Sequence, residues 1–295
     1  MLVIFGSGDD SCIRLAIDAA LELGVEHRFI DQRVLDHEDL LLEVGPSDVT
    51  CTVRIADEVV DLDEADGVYA RPLGIGDSER SRAFSAGFTA WLDLTDTLVV
   101  NRPHSMRSNS SKPFQAQLIA EAGFAVPDTL VSNDPDEVRA FAAHHGRAIF
   151  KSTSGIRSIV QELDAARLAT LDGVRTLPTQ FQAYVEGVDR RVHVVGDDLF
   201  ATEMRTDAID YRYANRDAAD VSHEPVELDE ATASRCRALS TLLDLPLCGI
   251  DLRMRPDGTH VCFEVNPMPA FSYYESHTGQ PIARSLVELL AGKRT

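Results

Sequence analysis

Positive charge is what this sequence has least of. Across 295 residues, 28 Lys and Arg stand against 48 Asp and Glu, a formal net charge of −20. A field of that sign repels nucleic-acid phosphates and anionic membrane surfaces, so neither is an expected partner. A small anionic ligand would need a locally basic pocket or a metal ion. Long apolar runs are also missing: no stretch approaches the ~18 residues that a membrane-spanning helix needs. The first twelve residues lack a basic segment and turn acidic at Asp9 and Asp10, which argues against a secretory signal. Cysteines are few and unpaired in spacing: Cys12, Cys51, Cys236, Cys248 and Cys262 are odd in number and form no CxxC. That pattern reads as reduced thiols in a cytoplasmic protein, where the sequon Asn109-Ser110-Ser111 carries no glycosylation meaning. There is no GxxxxGK[ST], so a P-loop is excluded.

What is present is ordinary in bulk. Hydrophobic residues make up 44% and charged residues 26%, which excludes wholesale disorder. The length suits about two domains at ~100–200 residues each. Residues 1–100 alternate strand and helix signals: strands at 2–5, 27–30, 68–70 and 98–100, helices at 12–23 and 84–94, and a hairpin over 49–62. They predict an open α/β unit. Gly6-Ser7-Gly8-Asp9-Asp10 follows a strand as a nucleotide loop would. It lacks the third glycine, and two aspartates sit where a phosphate would go, so a tight turn is the better reading.

Asn101-Arg102-Pro103-His104 reads as a boundary. Beyond it the spacing predicts a helix over 113–122, a strand over 126–131, a helix from 134 closed by Gly146, and strands at 148–150 and 180–185. A hairpin over 190–202 should turn at Gly196-Asp197, and a helix should run over 230–243. A second hairpin, 248–265, should turn at Pro256-Asp257-Gly258, and a final helix spans 281–290.

The last hairpin carries most of the chemistry. Asp251 stands on one strand; Glu264 and Asn266 lie two apart on the other and so point to one face. If the register puts Asp251 on that face, two carboxylates and an amide oxygen converge, hard ligands suited to Mg²⁺ held with waters and phosphate oxygens. The alternative is an exposed hairpin with solvated acids, but acids inside Cys-Gly-Ile-Asp-Leu and Val-Cys-Phe-Glu-Val do not look like a solvated face. Lys112 opens a helix and Lys151 ends an apolar strand. Each suits phosphate, and each taken singly could be a surface charge. Ser152-Thr153-Ser154-Gly155 could wrap an anion with backbone N–H groups. Gln182-Ala183-Tyr184-Val185, a strand running into a glycine turn, could present backbone groups to an adenine edge.

Taken in order, these stretches resemble the ATP-grasp superfamily over roughly 101–290. The series includes Phe150-Lys151-Ser152-Thr153-Ser154-Gly155, Gln182-Ala183-Tyr184-Val185-Glu186-Gly187, Arg191-Val192-His193, Ile209-Asp210-Tyr211-Arg212, Gly249-Ile250-Asp251 and Phe263-Glu264-Val265-Asn266-Pro267. Within the superfamily the chain resembles the RimK-type branch, and especially the microviridin-type (graspetide) ligases that macrocyclise ribosomal peptides. The resemblance implies an α/β ATP-grasp fold in three parts: a pre-ATP-grasp α/β domain over 1–100, a nucleotide-gripping subdomain over 101–185 and a metal-binding subdomain over 186–295. It also implies that Lys112 and Lys151 contact ATP phosphates, that Ser154 and Gly155 belong to a lid loop over 152–158, and that Gln182, Ala183, Tyr184 and Val185 line the adenine. Asp189 would hold the ribose, and Asp251, Glu264 and Asn266 would bind one or two Mg²⁺ ions. Arg191 matches the arginine that faces the reacting carboxylate and phosphate, with Arg205 and Arg253 as further candidates. The lid departs from the family pattern in having a single glycine and an added cation, Arg157, which either replaces backbone contacts to phosphate or is exposed.

The implied reaction is carboxylate activation: ATP phosphorylates a carboxylate, and an amine or hydroxyl attacks the acyl phosphate. Three readings follow. The enzyme crosslinks side chains of a ribosomal precursor peptide; or it adds a free amino acid to a peptide, protein or small acid; or the chain is a non-catalytic nucleotide-binding module. Cytoplasmic location and a homodimer are the expected setting and assembly.

Overall fold

The computed structural model describes residues 1–74, 78–152, 160–205 and 221–293, the side chain of Ser152 excepted. Its first sheet is parallel, in the order β2-β1-β6-β7, built from β1 (Leu2–Gly6), β2 (His27–Asp31), β6 (Gly67–Arg71) and β7 (Leu98–Val100). Strands β1 and β6 are buried throughout, which is why they read as short apolar runs without alternation. Helices α1 (Ser11–Glu22) and α2 (Glu79–Leu94) complete the unit. The turn at 6–10 is the entry to α1: the Asp10 carboxylate accepts from the N–H groups of Cys12 and Ile13, so a helix cap fills the place a phosphate would take. Phe5, Phe88 and Trp91 lead a second apolar layer beneath a small antiparallel sheet of β3 (Asp39–Val44), β4 (Val49–Ile55) and β5 (Glu58–Asp61). The hairpin was legible; β3 was not, because its three consecutive leucines break the alternation.

The middle of the chain gives α3 (Lys112–Glu121), β8 (Thr129–Ser132), α4 (Pro135–His145), β9 (Ala148–Ser152), β10 (Gln161–Glu162), α5 (Ala165–Ala169) and β11 (Thr179–Ala183). Strand β8 begins later than the apolar pattern suggests, since Pro127 has no N–H to give a ladder. The sheet order is β10-β9-β11-β8. Phe150 and Phe181 are register partners that face α4 with Val138 and Ala142. The intervening residues Ile149, Lys151, Gln180 and Gln182 therefore face the other way, toward a cleft.

The last sheet is antiparallel, in the order β14-β13-β12-β15-β16. Its strands are β12 (Val188–Val195), β13 (Asp198–Arg205), β14 (Ser222–Val226), β15 (Leu247–Met254) and β16 (His260–Asn266); helices α6 (Glu230–Leu242), α7 (Phe271–Thr278) and α8 (Ile282–Leu290) pack around them. One face, with Val192, Val194, Ile250, Leu252 and Cys262, packs on Leu239 of α6 and Ile119 of α3. The opposite face is divided. At one end Val195 and Leu247 meet Phe271, Leu286 and Val287 together with Ile13 and Ala16 of α1. The other end is left to charged residues and floors the cleft. Among the described residues no helix is long and apolar enough to cross a membrane.

Candidate functional site

An open cleft lies between the central sheet and the open end of the last one; Lys151, Gln182, Tyr184 and Val185 line one side and Asp189, Asp251, Arg253 and Glu264 the other. Register decides its floor. Arg191 on β12 pairs with Asp251 on β15, and Asp251 with Glu264 on β16, so three charged side chains form one rung across three strands. Arg191 Nη1 donates to Asp251 Oδ1 at 2.7 Å, and Lys112 Nζ, from the first turn of α3, donates to Glu264 Oε2 at 2.9 Å. The register shifts just past Asp251, where Leu252 pairs with Cys262 and leaves Phe263 as an extra residue. That bulge lets the consecutive residues Phe263 and Glu264 both line the cleft.

Asn266 pairs with Gly249 two residues along, and its Oδ1 accepts from the Met268 N–H at 2.9 Å. The condition set by the sequence is therefore met: Asp251 shares the face of Glu264 and Asn266. Gly249 also makes room for Arg191, because a Cβ there would lie 1.9 Å from Arg191 Nη2. The Tyr274 ring, 5.9 Å from the Arg191 guanidinium carbon, lies on another side of that group. Gly249 stood in the sequence only as part of Gly249-Ile250-Asp251 and Tyr274 carried no signal, since what each does depends on where one arginine lies.

Asp189 and Arg253, register partners two residues along in the other direction, form a two-pronged ion pair with both contacts at 2.8 Å, and Arg253 Nη1 also donates to the Val185 carbonyl at 2.9 Å. A carboxylate has about four lone-pair sites, so Asp189 retains acceptor capacity for a hydroxyl. Tyr184 is stacked under Arg147, 3.8 Å from guanidinium carbon to ring centre, and Arg147 is fixed by Glu162 at 2.9 Å. Arg205 does not join this group. It is exposed at the far end of β13 and pairs with Glu203, whose other partner is Arg190. Ser154, Gly155 and Arg157 of the lid loop lie outside the described residues.

Titration states are set by burial. His193 is wholly buried behind Arg191; burial, helped by that arginine's charge, holds its imidazole well below the usual range and so neutral. Burial pushes the Cys236 and Cys248 thiols up to about 12, so neither is a thiolate nucleophile near neutral pH.

The residues present fit a magnesium nucleotide. Gln180 and Gln182 are almost fully buried, yet their Oε1 atoms have no hydrogen-bond partner among the described residues. Buried acceptors left unmade are costly, and an exocyclic amino group offers such a donor. Among the described residues no three His, Cys, Asp or Glu side chains are grouped to hold a metal. The donor set is two carboxylates and one amide, which leaves a hard cation coordination positions for water and phosphate.

Known proteins resemble this chain in sequence and in fold. A family model described as a RimK-like ATP-grasp domain matches residues 109–290. A probable alpha-L-glutamate ligase of Teredinibacter turnerae is 24% identical over 67% of this chain and 68% of its own. The ATP-grasp ligase PsnB, solved with a phosphomimetic variant of a minimal precursor, Mg and ADP, superposes with a TM-score of 0.82 at 26% identity, covering 99% of this chain and 98% of its own. The macrocyclase MdnC from Microcystis aeruginosa, bound to the precursor peptide MdnA, shares the fold at a TM-score of 0.80 and 20% identity, covering 99% and 100%.

Proposed function

The chain belongs to the RimK-like ATP-grasp family and is an ATP- and Mg²⁺-dependent ligase, and on that premise we propose that its substrate is a ribosomally made precursor peptide. A side-chain carboxylate of the peptide is activated as an acyl phosphate, and a hydroxyl or amine of the same peptide attacks it. One observation carries the choice of substrate: the likeness to PsnB, a ligase solved with its precursor, holds at a TM-score of 0.82 and 26% identity over 99% of this chain. The first hundred residues thus find their counterpart in a peptide-modifying enzyme.

In this reading a carboxylate oxygen bonds to the γ-phosphorus of ATP and ADP leaves; the nucleophile then bonds to the acyl carbon and phosphate leaves. Such transfer depends on positioning and charge more than on covalent help from the protein. Arg191, held by Asp251, orients the substrate carboxylate. Lys151 and Lys112 hold phosphate oxygens, with Lys112 also offsetting the Glu264 charge. Gln182, Ala183, Tyr184 and Val185 surround the base, and Asp189 holds the ribose. Asp251, Glu264 and Asn266 would hold Mg²⁺, which supplies charge neutralisation between neighbouring phosphates. His193 and the cysteines have no chemical step. The three parts divide near residues 100 and 185, and ATP as co-substrate with reduced thiols suits a cytoplasmic setting.

A second reading, addition of a free amino acid, is favoured by the names of the curated relatives. Both readings share the acyl phosphate. Incubation with ATP, Mg²⁺, a candidate precursor peptide and hydroxylamine should give a peptide hydroxamate with matching ADP. ADP formation that yields no hydroxamate and ignores the peptide would refute a peptide carboxylate as the activated group.

A further inference from the structure

The segment that carries Asn266 is held from outside its own hairpin at three alternate residues. Gln115 on α3 donates Nε2 to the Val265 carbonyl and accepts from the Val265 N–H, both at 2.9 Å. Asn101, which follows β7, donates Nδ2 to the carbonyls of Pro267 and Leu247 and accepts from the Leu247 N–H. Arg71, the last residue of β6, donates Nη1 to the Pro269 carbonyl and Nε to Asp10, each at 3.0 Å. All three side chains are buried, at 2, 3 and 6% exposure for Gln115, Asn101 and Arg71. Between these anchors Asn266 Oδ1 takes the Met268 N–H, so the side chain's orientation is tied to the backbone of the turn.

Arg71 comes from the first α/β unit, 198 residues away in sequence, and Asn101 directly follows that unit's last strand, 166 residues away. Burying a guanidinium is costly unless it is paired. Asp10 supplies that pairing while also capping α1, so the arginine is fixed to the first unit and reaches out to the metal side. Apolar side chains could close the same interface without the desolvation. What the guanidinium adds is direction, a rigid fork that gives one N–H to Asp10 and another to the Pro269 carbonyl.

We propose that Arg71 and Asn101 are positioning residues for the metal site, so that the first unit sets where Asn266 stands and with it the affinity for the divalent cation. The proposal rests on the reading of Asn266 as a metal ligand. Groups that orient a ligand without touching the metal commonly change metal affinity ten- to a hundredfold, at about the lower end for one bond to a turn carbonyl.

The test is calorimetric titration of ADP into the full-length protein across a series of Mg²⁺ concentrations, with thermal unfolding of the metal-free protein alongside. Arg71→Met should raise the Mg²⁺ concentration needed to strengthen ADP binding by about tenfold, while ADP affinity without Mg²⁺ changes less than about twofold. Arg71→Lys keeps the charge but not the fork and should raise it by about threefold. A lower melting temperature with an unchanged Mg²⁺ requirement would mean that Arg71 merely holds the interface, and would overturn the proposal. If Arg71→Met does not fold, Arg71→Lys and Asn101→Ser carry the same test, and an unchanged requirement in both overturns it. Asn266→Ala separates the premise from the inference. No change in its Mg²⁺ requirement refutes Asn266 as a ligand, and with it the positioning role. A raised requirement there, with wild-type behaviour in the Arg71 and Asn101 variants, refutes the positioning role alone.

Discussion

Arg191 and Asp251 face each other across the β12–β15 ladder, joined at 2.7 Å, and Asp251 in turn faces Glu264 on β16. The arginine assigned to the substrate and the carboxylates assigned to the metal are thus a single rung. Under the proposed assignment Asp251 would serve both as a ligand and as the anchor of Arg191, whereas Glu264 is paired with Lys112 instead.

Replacing either carboxylate by its amide should therefore abolish turnover with unequal side effects. Glu264→Gln should lower ADP formation at least about a hundredfold at millimolar Mg²⁺, because a neutral ligand competes poorly for the cation. Asp251→Asn should do the same and also weaken binding of the peptide substrate, since Arg191 loses its anchor. Steady-state assays with circular dichroism as a fold control measure both. Near-normal turnover in either variant would remove that residue from the metal site.

Gly249 offers a probe of Arg191 that leaves every charge in place. A methyl group there would fall 1.9 Å from Arg191 Nη2 and 2.3 Å from its guanidinium carbon, so the arginine must move. Gly249→Ala should cut kcat by at least about tenfold, keep ATP affinity within about twofold, and lower stability by about 1–3 kcal/mol, as overpacking does. Unchanged kcat would show that the position of Arg191 does not matter to the reaction.

Lys151 is buried on the cleft face of β9, and its assignment is to phosphate rather than to base or sugar. Lys151→Ala should weaken ATP binding by at least about tenfold and AMP binding by less than about twofold, as followed by calorimetry. Equal losses for both nucleotides would place the lysine elsewhere.

How far the sequence reached can be followed residue by residue. The buried hairpin of Asp251 and Glu264 was legible because acids inside apolar strands have few structural explanations. Its register was not, as it depends on a bulge at Phe263 that local propensity does not encode. Strand β14 escaped because Ser-His-Glu-Pro-Val is polar and contains a proline, tolerated there only because β14 is an edge. Helix α7 has no side-chain cap, so no start signal marked it. The partners of the site residues, Lys112 with Glu264 and Arg253 with Asp189, lie 152 and 64 residues apart and become neighbours only through the packing of α3 on the sheet and through strand pairing. For the same reason Arg205, chosen by resemblance, stands away from the cleft beside Glu203.

Glu203 gives a pH signature. Burial would raise its pKa, but hydrogen bonds and charge from Arg190 and Arg205 outweigh it and hold the carboxyl below its ordinary value of 4.5. A group whose pKa falls on folding adds stability above its unfolded value and loses it as pH drops through the folded one. Glu203→Gln should therefore cost about 3 kcal/mol at pH 7, as for one broken partner of a buried pair. The gap to wild type should shrink as pH falls below that ordinary value, when both proteins are unfolded by denaturant at each pH. A gap that stays constant with pH would mean that charge is not what Glu203 contributes.

The central claim, that both the activated carboxylate and its nucleophile belong to one ribosomal peptide, is tested most directly by mass spectrometry. A short peptide encoded beside the gene, rich in Asp or Glu with Ser, Thr or Lys, is incubated with the enzyme, ATP and Mg²⁺. Crosslinking removes one water per bond and adds nothing, so the account predicts peptide lighter by whole waters, with one ADP for each. Peptide of unchanged mass, together with ADP formation that requires a free amino acid and a product heavier by that amino acid less water, would contradict it.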